Sequence, residues 1–80
     1  MPDQTAKQKA LARAVRELRV RVGMTQEGLS DAAGLGPNYV SQVERGMHRT
    51  SFDAVTRIAD GLGITLGELI RVYEERLGQL

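Results

Sequence analysis

Four glycines constrain this chain more than any other feature. Gly23, Gly34, Gly46 and Gly63 each follow a stretch whose apolar residues recur every three or four positions, the period of a helix with one buried face. Glycine closes helices readily in the left-handed conformation, so the pattern predicts five short helices joined by tight turns. Leu11, Val15, Leu18 and Val22 form one stripe of a first helix, with Thr5 and Gln8 as a capping box at its start. Thr25 caps a second helix that buries Leu29, Ala32 and Ala33. Gly36-Pro37 opens a third, with proline at the first helical position and Val40 and Val43 on the inner edge. Ser51 caps a fourth, whose Phe52, Val55, Ile58, Ala59 and Leu62 face inward. Thr65 with Glu68 is a second capping box, and Ile64 and Leu69 are placed as a hydrophobic staple around it. No window alternates at period two. The expected fold class is therefore all-α: one domain over residues 6–80, a flexible tail over 1–5, and a last helix over 65–80.

Eighty residues bury only about 60% of the surface the unfolded chain exposes, so extra packing or association is needed for comfortable stability. The sequence has no cysteine, which removes disulfides and thiolate metal sites. Its apolar runs are too short for a membrane span or a signal-peptide core, and the cytoplasm is the expected location. Net charge is only +1, but its distribution is uneven. Residues 1–50 carry eight basic and five acidic groups, whereas residues 51–80 carry three and five. A basic front half suggests one face for an anionic partner.

Enzymatic chemistry is not expected. His48 is the sole histidine, no two carboxylates stand at a catalytic spacing, and Gly46 breaks the helix between Glu44 and His48. A lone histidine without cysteine is no metal site, and no glycine-rich loop cradles a phosphate, so neither metal nor cofactor is expected. Tyr39, Phe52 and Tyr73 fall on different helices and make no stacking platform for single strands.

The informative stretch runs from Gln26 to Arg45. Two short helices meet through a tight turn at Gly34, with small Ser30 and Ala33 permitting close approach. This is the helix-turn-helix pattern, in which the second helix stands clear to enter a DNA major groove. Its outer face carries Pro37, Asn38, Ser41, Gln42 and Arg45. Asn and Gln can bridge N6 and N7 of adenine, and Ser pairs with several bases. Arg45, His48 and Arg49 lie on the flank where phosphates would come close. Any small helical domain also has polar outer faces, and composition alone leaves both readings open.

MTQEGLSDAAGLGPNYVSQVERG, followed by SFDAVTRIADGLGITLGEL, resembles the Cro/repressor-type (Xre-like) helix-turn-helix family of bacterial and phage transcription regulators. The resemblance spans Leu11 to Leu69 and implies a lambda-repressor-like five-helix bundle whose second and third helices form the DNA-reading unit. By position, it implies base reading by Pro37, Asn38, Ser41 and Gln42, and phosphate contact by Gln26, Tyr39 and Arg49. It also implies a largely buried ion pair between Arg19 and Glu44. A carboxylate on a reading helix repels phosphate unless it is turned away and paired. Three positions depart from the family pattern. Gly28 replaces the usual Glu and costs about 1 kcal/mol against alanine in a helix interior. Thr50 replaces a proline, and Pro37 can offer only apolar contact, for instance to a thymine methyl.

The fifth helix holds more apolar positions than one stripe needs. With Leu66, Leu69 and Tyr73 facing the chain's own core, Ile70, Leu77 and Leu80 remain as a second seam, flanked by Tyr73. That seam predicts a symmetric homodimer, hence a double-stranded, pseudo-palindromic operator. With the chain ending eleven residues past Leu69, no small-molecule ligand is expected. The family resemblance is compatible with a phage-type repressor, an antitoxin or a restriction–modification controller protein, which the length and long fifth helix resemble. The competing reading is a protein-interaction module that keeps the fold without specific DNA readout.

Overall fold

The structure is a computed structural model, and it describes residues 5–47 and 49–80. Among these residues stand five helices: α1 (Ala6–Val22), α2 (Gln26–Ala32), α3 (Tyr39–Glu44), α4 (Phe52–Leu62) and α5 (Leu66–Leu77). Four of their starts are fixed by short polar contacts. Thr5, Thr25, Ser51 and Thr65 hold extended backbones, and each hydroxyl accepts the backbone N–H three residues later. Thr5 with Gln8 and Thr65 with Glu68 are reciprocal capping boxes.

The stops share one geometry. Gly23, Gly34, Gly46 and Gly63 have φ of 77°, 69°, 70° and 74°. The N–H of each following residue reaches back five positions: Met24 to Arg19, Leu35 to Ser30, Met47 to Gln42, and Ile64 to Ala59. Met24, Leu35 and Ile64 then fold onto the core, whereas Met47 is left exposed.

The core lies where α1 meets α3 and α5, and where α2 meets α3 and α4. Val15, Leu18, Leu29, Val40, Val43, Ile58, Leu69 and Val72 fill it. No helix among the described residues is long and apolar enough to cross a membrane. Residues 1–4 of the expected tail lie outside the described residues, and Thr5 belongs to the cap of α1.

Four expectations need correction. Val22 is largely exposed, because the α1 stripe overruns the core by a turn before Gly23 turns the chain away. Small Ala10 and Ala14 instead join Val15 and Leu18 on the buried face. Ala32 is exposed and Ser30 takes the buried place on α2. Phe52 is 72% exposed: side chains lean toward the helix N-terminus, so one at the first position of α4 projects off the end of the core. Finally, Pro37 is not the first residue of α3. The N–H of Tyr39 bonds to the carbonyl of Gly36, so Pro37 and Asn38 are the middle of a turn and the helix begins at Tyr39.

One glycine passed unread in the sequence. Gly61 sits inside α4, where a Cβ would come 3.0 Å from Leu29 Cδ1 and 3.1 Å from the Ala33 backbone nitrogen. The absence of a side chain lets α4 lie against the backbone of α2.

Candidate nucleic-acid interface

Three devices hold α2 and α3 in their relation. Gly34, in the left-handed conformation, ends α2 and returns the chain through Leu35. The Ser30 hydroxyl, fully buried, accepts the backbone N–H of Val40 at 3.1 Å. Val40 and Val43 then bury the inner edge of α3. The sequence marked Ser30 only as a small residue. Its hydrogen-bonding role was missed because its partner lies ten residues away.

The far end of α3 is held by charge. Glu44 accepts from Arg19 Nε at 2.6 Å and from Arg19 Nη2 at 3.0 Å, a bidentate pair. The Glu44 side chain is 2% exposed and that of Arg19 13%. Arg19 Nη1 also donates to the Met24 carbonyl at 2.8 Å, tying down the turn into α2. The Glu44 hydrogen bond raises the pKa of Arg19, against an opposing effect of burial. Gln26 Nε2 donates to Glu44 Oε1 at 3.1 Å. Gln26, expected at a phosphate, is thus braced by the same carboxylate that anchors α3, and one of its amide hydrogens is committed inward.

What faces outward is polar and cationic. Asn38, Ser41, Gln42 and Arg45 recur at helical spacing, opposite buried Val40 and Val43. Pro37 and Asn38 are exposed on the turn before α3, and Ser41 and Gln42 are half-buried. Arg45 and Arg49 are exposed beyond the helix end. His48 lies outside the described residues. Tyr39 is half-buried against the core, and its phenol pKa is raised by burial and then by the charge of Asp53. A phenol so shifted stays protonated at neutral pH and can donate a hydrogen bond.

The residues expected to pair two copies divide differently. Ile70 and Tyr73 pack partly on the chain's own core, and Val72 is buried there. Leu77 is half-buried at the end of α5, and Leu80, 47% exposed, lies past the helix. Ile70 and Tyr73 join Leu11 and Val55 in an apolar groove of about 410 Å³, also lined by Lys7, Arg49 and Thr50.

A helix-turn-helix family model matches residues 15–69. A hypothetical transcription factor of Neisseria meningitidis serogroup B is 34% identical over 77 residues, spanning 96% of this chain and 73% of that protein. Among solved structures, the restriction–modification controller protein C.AhdI from Aeromonas hydrophila is 35% identical with a TM-score of 0.77, over 81% of this chain and 98% of that one. The wild-type restriction–modification controller protein C.Esp1396I superposes with a TM-score of 0.85 at 20% identity, over 92% of this chain and 96% of the other. At that identity the likeness concerns the fold alone.

Proposed function

The chain belongs to the helix-turn-helix family of DNA-binding transcription regulators, and from that premise we propose that it reads a specific duplex sequence as a homodimer. In this reading α3 enters the major groove, with Asn38, Ser41 and Gln42 on base edges and Pro37 against a thymine methyl. Gln26, Tyr39, Arg45, His48 and Arg49 meet the phosphates. One observation carries the proposal. Glu44, the single carboxylate of α3, is turned into the protein and neutralised by Arg19, which leaves the outer face free of negative charge. An acid on that outer face would repel a polyanion.

Dimerisation supplies the two-fold repeat. Ile70, Tyr73, Leu77 and Leu80 form the proposed seam, continuous with the apolar groove beside Val55 and within a turn of the exposed Phe52. Pairing would bury apolar area that a chain this small lacks and set two copies of α3 about 34 Å apart, one turn of DNA. The 35% identity with C.AhdI supports a narrower role as a restriction–modification controller protein.

Site selection from random duplexes tests this directly. The parent protein should return a pseudo-palindrome, and Asn38→Ala or Gln42→Ala should cost about 1–3 kcal/mol and relax one or two base positions. Arg49→Ala should weaken binding to every sequence and lower the salt slope by about one. An unchanged motif for both base-reading variants, or a protein that sediments as a clean monomer at micromolar concentration, would overturn the reading.

A further inference from the structure

The start of α3 differs from the starts of the other four helices. At Thr5, Thr25, Ser51 and Thr65 the capping residue has ψ between 155° and 163°, and its own side chain takes an N–H of the first turn. At Asn38 ψ is 7°, and the side chain makes no capping bond, although Asn is among the best capping residues. The N–H two residues on, that of Val40, which an Asn38 cap could also take, instead bonds to Ser30 on α2.

We propose that Ser30 caps the reading helix in place of Asn38 and thereby releases the Asn38 side chain to contact a base. Ser30 is a positioning residue, acting through Asn38, and the proposal rests on the DNA-binding reading above. The chemistry is an exchange of acceptors. A buried N–H must find a partner, and its two candidate acceptors are the Ser30 hydroxyl and the Asn38 amide oxygen. With the hydroxyl present, the Gly36–Tyr39 turn can keep Asn38 at a ψ of 7°, exposed and with no capping bond of its own. Without it, rotation of Asn38 toward extended backbone would satisfy Val40 and withdraw the amide from the surface. The Glu44 end of α3 has its own anchor and would stay in place.

Two measurements on the free protein and one on DNA test this. Amide hydrogen exchange of Val40 should be protected in the parent, nearly as slow in Ser30→Ala, where Asn38 takes over the N–H, and about tenfold faster in Ser30→Ala/Asn38→Ala, which has neither acceptor. Asn38→Ala should leave the melting temperature unchanged, since Asn38 caps nothing. On the selected duplex, Ser30→Ala should lose about tenfold in preference for the base pair read by Asn38 while keeping its affinity for scrambled DNA. In the Ser30→Ala background, Asn38→Ala should add no further loss, a coupling that a purely structural defect would not produce. A Val40 amide that exchanges as slowly in Ser30→Ala/Asn38→Ala as in the parent overturns the exchange of acceptors. A parent that selects no motif overturns the DNA reading and the role of Asn38 with it. A parent that selects one, while Ser30→Ala keeps full discrimination or the two losses simply add, overturns the positioning role alone.

Discussion

The helix-turn-helix unit is fastened to the rest of the molecule at two seams of opposite character. On one side α3 meets α1 through a buried bidentate pair, Glu44 with Arg19, reinforced by Gln26 and by the Met24 carbonyl. On the other side α2 meets α4 through the absence of a side chain, with Gly61 lying under Leu29 and Ala33. The first seam is directional: hydrogen bonds to a guanidinium fork fix angles as well as distance. The second is set by contact alone, so it fixes how close two backbones come and tolerates sliding along the helix axis. A reading helix needs its orientation specified more finely than its distance, and the charged seam is the one that holds α3.

The largest expected effect separates the two seams outright. Glu44→Ala should cost about 3–5 kcal/mol in urea denaturation, because it leaves the Arg19 guanidinium with little solvent and no counter-charge. A midpoint equal to the parent's would show that the charged seam holds nothing. Gly61→Ala comes next. Overpacking costs about 1–3 kcal/mol and helix propensity returns about 1, so a net loss of up to about 2 kcal/mol is expected despite the better helix former. A stabilised Gly61→Ala protein would mean that α4 can draw away from α2 freely. The weakest effect belongs to an outer pair that also involves α1. Arg76 Nη2 lies 2.7 Å from Glu17 Oε1, with side chains 22% and 35% exposed. Arg76→Ala should cost under about 1 kcal/mol. That cost should shrink near 1 M salt, where the screening length falls to about 3 Å, while the Glu44→Ala deficit persists.

What could be read directly from the sequence was whatever is decided within a few residues. Thr5, Thr25, Ser51 and Thr65 cap bonds three positions away, and each terminal glycine closes a loop of six residues. Such interactions depend on local composition and backbone geometry, so a short window contains both partners. The same logic located the two helices and the turn between them. It failed for Phe52 and Val22, whose spacing matches a buried stripe but whose positions fall beyond the ends of the core. Periodicity gives the direction of a face and carries no information on where the opposing helix ends.

The tertiary structure decided the contacts that span ten or more residues. Ser30 found the N–H of Val40, Gln26 found Glu44, and Gly61 found the backbone of α2. In sequence Ser30 reads as a small spacer and Gly61 carries no signal of its own, and each acquires its role from a partner that local rules do not supply. The pairing of Arg19 with Glu44 entered the sequence reading through family resemblance, since nothing in either residue's neighbourhood specifies the other. The sequence by itself thus determined five helices, the caps of four of them and the unit that meets DNA in this family. Only the packed structure decided how that unit is oriented, because orientation comes from hydrogen bonds and close contacts between segments far apart in the chain.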